Sequence, residues 1–245
     1  MAKPAVERTF VMVKPDGVQR GLIGEIIKRL EQRGLQIIAL KMVKPSVEHI
    51  SNHYPTDEVW IKRLGDKGFN VFNELGIDLK EAMGTADNLE AGKKVRKWLI
   101  DYMTEAPVVA MVVEGVHARD MVRKIVGSTL PNKAEIGTLR GDFSVDSPAA
   151  ANLEKRAIKN LAHASETKEE AEKEICHWFS QEEIHQWDRP DHKAMFSEKP
   201  PAVRHNGARP RQRRHALHTC RKTGRLLSAR CIPAAIAQPW RRRKT

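Results

Sequence analysis

The six apolar residues Val108-Val109-Ala110-Met111-Val112-Val113, set off by Pro107, constrain the fold of this chain more than any other stretch. An unbroken apolar run of that length, rich in valine, reads as a strand with both faces buried. A shorter run, Phe10-Val11-Met12-Val13, does the same near the N-terminus and stops at Lys14-Pro15-Asp16-Gly17, where Pro and Asp-Gly signal a turn. Strands this apolar need cover on two sides. With helices expected on one face of the sheet, subunit association is the natural cover for the other.

The remaining elements follow from periodicity. Leu22, Ile23, Ile26, Ile27 and Leu30 recur at helical spacing, and Gly34 ends that helix. Residues 35–43 read as a second strand, and Pro45-Ser46 opens a short helix carrying His49, His53 and Tyr54. Residues 56–105 hold Gly65, Gly68, Gly76, Gly84 and Gly92 between weakly amphipathic pieces, of which 94–103 is the clearest helix. Met121, Val122, Ile125 and Val126 mark another helix, ending near Gly127. Residues 128–159 begin as a Gly/Pro-containing loop and include a helix within 149–158, and 158–163 reads as the last strand. Thr167-Lys168-Glu169-Glu170 fits a capping box for a final helix whose apolar face is Ala171, Ile175, Trp178 and Phe179. The resulting order, β-α-β-α, an insert, then β-α-loop-β-α, predicts an α+β sandwich on a four-stranded, largely antiparallel sheet.

Charge divides the chain. The formal net charge is +12, yet residues 196–245 carry 14 Lys/Arg against one acid, leaving 29 Lys/Arg and 30 Asp/Glu in 1–195. The body is near neutral and the basic excess sits in the tail. Three cysteines, Cys176, Cys220 and Cys231, do not make a secreted disulfide framework. The N-terminus lacks an apolar leader, and no apolar run reaches the roughly 18 residues of a membrane helix. A cytoplasmic protein with no transmembrane segment is expected.

Chemistry concentrates around Asn160-Leu161-Ala162-His163-Ala164-Ser165, followed eleven residues after the histidine by Glu174. Imidazole is nucleophilic near neutral pH, and small neighbours leave its ring accessible. Glu174 lies one turn before Trp178, at the border of the apolar face, where its carboxylate can turn inward. Lys14, Tyr54, Arg123, Thr129, Arg140 and Asn160 stand at or near element ends, where side chains converge. Three separated cations with hydroxyl and amide donors suit a di- or triphosphate. Neither G-x-x-x-x-G-K-[ST] nor G-x-G-x-x-G is found, which argues against P-loop ATPases and dinucleotide oxidoreductases.

Residues 8–187 resemble the nucleoside diphosphate kinases. The resemblance rests on Arg8 to Gly24, with Lys14-Pro15-Asp16-Gly17 at its centre, and on Pro107 to Gly115. It continues through Gly137-Thr138-Leu139-Arg140-Gly141-Asp142-Phe143 and the histidine segment, all in the same order. It implies a ferredoxin-like fold and a ping-pong reaction in which a nucleoside triphosphate passes its γ-phosphoryl group to His163 and the phosphohistidine passes it to a nucleoside diphosphate. It also implies that Lys14, Arg123 and Arg140 bind phosphates, with Arg123 and Thr129 near the β-phosphate. Tyr54 and Asn160 would position phosphate and sugar, and Glu174 with Ser165 would hold and polarise the imidazole. Mg2+ bridging the phosphates and a homo-hexamer or homo-tetramer complete the implied picture, with no metal-ligating residues assigned in the protein.

The chain departs from the family pattern in two inserts, about 57–97 and 144–158, and in Glu166, where an aspartate is common. The family's base-stacking aromatic aligns with Val95, so that Trp60, Phe69, Phe72 and Trp98 are alternatives for stacking or for core. The tail 196–245, dominated by Arg, Pro, His and Ala, is expected to be disordered and not adapted to the kinase body. Its charge also suits weak contact with nucleic acid, while His215, His218, Cys220 and Cys231 are too irregularly spaced for a zinc site. A nucleic-acid-binding protein on the same fold and a protein-histidine phosphotransferase are the rival functions. Deleting 196–245 is expected to leave steady-state phosphotransfer and the number of subunits in the assembly unchanged; a changed rate or subunit number would give the tail a working role.

Overall fold

The computed structural model describes residues 6–74, 76–78, 80 and 83–196. The tail, with its possible metal ligands and basic run, lies outside the described residues. Four strands form one sheet: β1 (Val6–Val13), β2 (Gln36–Val43), β3 (Val108–Val116) and β4 (Ala162–Ala164), in the order β2-β3-β1-β4 and antiparallel throughout. This is the expected α+β, ferredoxin-like arrangement. β3 and β1, the two apolar runs, are its central strands.

Both faces of the central strands β1 and β3 are covered by helices of the same chain, which corrects the expectation that subunits cover one of them; on the edge strand β2, Leu40 and Met42 stay exposed. Val11, Val13, Val109, Met111 and Val113 pack against α2 (Ile23–Gln32) and α6 (Ala118–Val126). On the other face Phe10, Met12, Val108, Ala110 and Val112 meet α3 (Val47–His53), α5 (Asn88–Thr104) and α9 (Lys168–Trp178) through Ile50, Met103 and Trp178. Each fully buried large side chain in these layers contributes roughly 1.5–3 kcal/mol. The extra layer was hard to see because residues 56–105 lack a strong apolar period.

Residues 56–105 hold α4 (Glu58–Glu74) and α5, which contains the helix expected at 94–103; both are 17 residues long and pack against each other. Gly65 and Gly92 set their spacing. A Cβ on Gly65 would stand 1.9 Å from the Asn88 carbonyl oxygen, and one on Gly92 would stand 1.9 Å from that of Ile61. Phe69, Phe72, Met83 and Ala91 form a small core of their own between the two helices. Val95 packs against that core.

Two local expectations change. Lys14-Pro15-Asp16-Gly17 opens a short helix, α1 (Pro15–Gln19), because Pro at the first position needs no N–H partner and Asp suits the first turn. The last strand is confined to Ala162–Ala164, because Leu161 has φ of 67°, outside the extended range. The 128–159 segment contains α7 (Leu139–Phe143) and α8 (Pro148–Leu153), and α10 (Pro190–Phe196) follows α9.

Replacing Gly65 or Gly92 by Ala forces the α4–α5 backbones apart, an overpacking cost of about 3 kcal/mol. Thermal unfolding followed by circular dichroism is expected to show a Tm lowered by about 6–12 °C. Gly24→Ala, where an added Cβ meets nothing within 4 Å, is expected to change Tm little, in the direction of stabilisation.

Candidate active site

His163 lies on β4 directly opposite Met12 of β1. Alternation along a strand therefore puts its ring on the Met12 face, with Phe10 6.0 Å away between centroids, while Ala162 and Ala164 face the other layer. α9 crosses that same face. Its start is fixed by Thr167, whose hydroxyl accepts from the Glu170 N–H at 3.1 Å; the Glu170 carboxylate reaches past the cap to the Glu166 N–H at 2.5 Å. Two turns into α9, Glu174 is buried and turned inward, as its place at the border of the apolar face allows.

The Glu174 carboxylate accepts on both oxygens. His163 Nε2 lies 2.7 Å from Oε1, and the Ser165 hydroxyl donates to Oε2 at 2.6 Å. A carboxylate only accepts, so Nε2 carries the ring proton and Nδ1 keeps its lone pair. The His163 side chain is 20 % exposed, to a cleft of about 1280 Å³. His53, at the end of α3, closes the inner side, its Nε2 3.6 Å from the same Glu174 oxygen and its Nδ1 accepting from the Trp178 indole at 3.3 Å. Burial, reinforced by His163, His177, Lys14 and His49, holds His53 well below the usual imidazole range, so it is neutral.

The cations Lys14, Arg123 and Arg140 line the same cleft as this group. Thr138 caps α7 by accepting from the Gly141 N–H, which sets Arg140 in the first turn. Arg140 donates to three carbonyls: Asn160 at 3.0 Å, Gly127 at 2.8 Å and Ala162 at 2.6 Å. Two of its five N–H donors remain for a ligand. Lys14 Nζ donates to Asn160 Oδ1 at 2.8 Å, and Asn160 Nδ2 donates to the Thr129 carbonyl at 2.9 Å. Burial and the neighbouring Arg140 bring the Lys14 ammonium down to about 7, against an opposing pull from Asp16. Burial and Arg123 lower Arg140 to about 10, where it stays charged at neutral pH. Anionic ligands belong between two buried cations that lack a carboxylate of their own in the cleft.

All nine candidate residues are brought together except for the deeply buried Ser165, which meets the site through Glu174. Tyr54, at the C-terminal cap of α3, stands edge-on to His53 at 5.0 Å. Arg123, 44 % exposed, makes a loose 3.6 Å pair with Glu166. Thr129 is exposed and meets Asn160 through its backbone. Of the four aromatic alternatives, Trp60 lines the cleft and lies 6.1 Å from the Tyr54 ring at 27°, whereas Phe69 and Phe72 are buried in the α4–α5 core. Trp98 packs against two core clusters. His53 was missed as a site residue because a histidine in a short helix carries no signal without its partners.

Between Asn160 and His163 the backbone makes an uncommon turn. The Ala162 N–H donates to the Asn160 carbonyl at 2.8 Å, with Leu161 at φ of 67° between them. This is a γ-turn of positive φ, costing a leucine about 1–3 kcal/mol. It is held from several sides: the Lys14 N–H donates to the Leu161 carbonyl at 2.8 Å, and Asp16 Oδ2 accepts from the Leu161 N–H at 3.2 Å.

His53, His163 and Glu174 have ligand atoms within 4.8 Å of one another and form the group, among the described residues, able to hold a metal ion. Two imidazoles and one carboxylate do not suit Mg2+, which takes oxygen ligands. No helix among the described residues is long and apolar enough to cross a membrane.

Known proteins match this geometry and its sequence. The family model for nucleoside diphosphate kinase matches residues 7–59 and 56–184. A nucleoside diphosphate kinase of Pyrobaculum aerophilum is 49 % identical over 179 residues, covering 73 % of this chain and 98 % of the relative. Another, of Archaeoglobus fulgidus, is 40 % identical over 194 residues, 79 % of this chain and 100 % of the relative. The crystal structure of the Pyrobaculum aerophilum NDP kinase superposes with a TM-score of 0.73 at 47 % identity, covering 74 % of this chain and 100 % of that one. A transition-state mimic of the Borrelia burgdorferi enzyme, with vanadate and ADP bound, superposes with a TM-score of 0.63 at 34 % identity, over 77 % of this chain and 96 % of that one. Sequence, fold and relatives agree that this chain belongs to the nucleoside diphosphate kinase family.

Proposed function

We propose that the family reaction, transfer of the γ-phosphoryl group of a nucleoside triphosphate to a nucleoside diphosphate, runs here through Nδ1 of His163. The observation that carries this reading is the 2.7 Å bond from His163 Nε2 to Glu174, which leaves Nδ1 as the ring's lone pair beside a cationic cleft. In the first half-reaction Nδ1 bonds to the γ-phosphorus as the bond to the β,γ-bridging oxygen breaks, and the nucleoside diphosphate leaves with that electron pair. The ring becomes cationic, and Glu174 stabilises the positive charge through the retained Nε2 proton. In the second half-reaction a terminal phosphate oxygen of the acceptor attacks phosphorus, and the P–N electrons return to Nδ1.

Lys14, Arg140 and Arg123 surround the spreading phosphoryl charge, with Asn160 and Thr129 beside them and Tyr54 toward the sugar. Trp60 takes the base, in place of the family aromatic that aligns with Val95. Mg2+ enters as part of the nucleotide substrate, held by phosphate oxygens. A homo-oligomer, tetramer or hexamer, is supported by the open half of the edge strand β2, where Leu40 and Met42 are 49 % and 57 % exposed. A cytoplasmic setting suits Cys176, which is unpaired and exposed. Weak nucleic-acid contact through the basic tail is an accessory property.

The test is to load the protein with γ-labelled ATP and Mg2+, isolate it, and add GDP. Acid-labile label on the wild type, none on His163→Ala, and transfer into GTP are the expected results. Label that stays on the protein, or passes only to other proteins, would favour a protein-histidine phosphotransferase. Glu174→Ala is expected to slow labelling by about 10²–10³-fold, with Ser165→Ala milder because Glu174 keeps its bond to the imidazole.

Lys14 gives the pH dependence. Its ammonium titrates at about 7 in the free protein, and a bound phosphate favours the charged form. Nucleotide binding is therefore expected to take up a proton near and above pH 7, and kcat/KM to fall as pH rises through that region. Calorimetry in buffers of different ionisation enthalpy measures the uptake, which Lys14→Met is expected to abolish.

A further inference from the structure

Asp16 plays no part in the mechanism above, yet it is 5 % exposed and bonded on both carboxylate oxygens. Oδ1 accepts from the Tyr102 hydroxyl of α5, and Oδ2 accepts from the Leu161 N–H at 3.2 Å. Three separate pieces of chain thus meet at one carboxylate: α1, α5 and the histidine segment. Neither Asp16 nor Tyr102 lines the cleft.

The bond to Leu161 has a specific consequence. The carbonyls of residues 160, 161 and 162 are taken by Arg140 and by the Lys14 N–H, but the central N–H of the turn is taken by Asp16. Without that acceptor the Leu161 N–H is buried and unmet, and the turn relaxes away from positive φ. Peptide planes on either side then rotate. Asn160, which holds Lys14, lies just before the turn, and His163 lies just after it. Gly17 shows how tightly α1 sits there, since a Cβ on it would stand 2.9 Å from the Leu161 carbonyl oxygen.

We propose that Asp16 is a positioning residue for phosphoryl transfer: it holds the Leu161 turn so that Lys14, Asn160 and His163 meet the γ-phosphate in a single arrangement. The proposal rests on the reading of His163 as the nucleophile. Its effect falls on rate rather than on nucleotide affinity, because in-line transfer loses about 10²-fold for a misplacement near 1 Å while phosphate binding tolerates more.

Charge supplies a second handle. Lys14 faces Arg140 from α7, Asp16 from α1, His53 from α3 and the Tyr102 ring from α5, with Nζ 5.8 Å from that ring's centroid. Among these, Asp16 favours the ammonium form while burial and Arg140 oppose it. Removing the Asp16 charge moves the Lys14 titration to lower pH.

The experiment is single-turnover phosphorylation of the full chain by ATP and Mg2+, by rapid quench from about pH 6 to 9. Wild type, Asp16→Ala, Asp16→Asn, Tyr102→Phe and His163→Ala are compared, with Tm and the ATP Kd at about pH 6. Asp16→Ala, which removes both the acceptor and the charge, is expected to transfer about 10–100-fold more slowly, with Kd within about threefold and the alkaline limb displaced to lower pH. Asp16→Asn, whose amide oxygen can still accept from the Leu161 N–H, is expected to keep most of the rate but to displace the alkaline limb. Tyr102→Phe is expected to slow transfer less than Asp16→Ala, with the limb in place, because the carboxylate remains. Transfer by Asp16→Ala at the wild-type rate, a loss that matches its unfolded fraction, or an unmoved alkaline limb would each overturn the proposal. If Asp16→Ala does not fold, Tyr102→Phe decides, and a rate within about twofold of wild type counts against. Failure of the wild type itself to take label would instead sink the nucleophile assignment.

Discussion

The buried guanidinium of Arg140 is the interaction on which the site depends. Its bonds to the carbonyls of Gly127, Asn160 and Ala162 tie the end of α6 to the histidine segment. An arginine fits this position because its planar fork can meet several carbonyls and still present N–H donors to a phosphate. A lysine could not do both. The cost is a buried cation among others: burial with Arg140 lowers the Lys14 titration, and burial with Arg123 lowers that of Arg140. The site is electrostatically short of anion, and a polyphosphate supplies what is missing.

In the same cleft, the chemistry relies on a proton kept in place. Glu174 accepts from Ser165 and His163 at once, so the ring cannot turn over without breaking a charge-assisted bond. His53 is held neutral close by and adds no competing cation next to the nucleophile. The nucleophile proposed here is thus defined by its neighbours' hydrogen bonds.

Much of this was legible in the sequence, for identifiable reasons. The runs at 10–13 and 108–113 are apolar enough to mark central strands, and Gly34 and Gly127 end helices where the pattern says they do. The inward turn of Glu174 follows from its place one turn before Trp178. What escaped has a common cause. The α4–α5 pair packs through Gly65 and Gly92, and close backbone approach leaves no periodic apolar stripe to read. The Asp16 carboxylate, the Leu161 turn and His53 act through partners about 90 to 150 residues distant in sequence, so no local pattern points to them.

The small core of Phe69, Phe72, Met83 and Ala91 is distinct from the two clusters that flank the sheet, with Trp98 packed against it and against one of them. α4, which carries Trp60, therefore draws much of its stability from a different set of contacts than β1, which leads into Lys14, and β4, which carries His163. Segments with separate cores open with separate free energies. On the reading proposed above, with the base at Trp60 and the phosphates between Lys14 and His163, such a division would let the base end open and accept sequence change independently of the phosphate end.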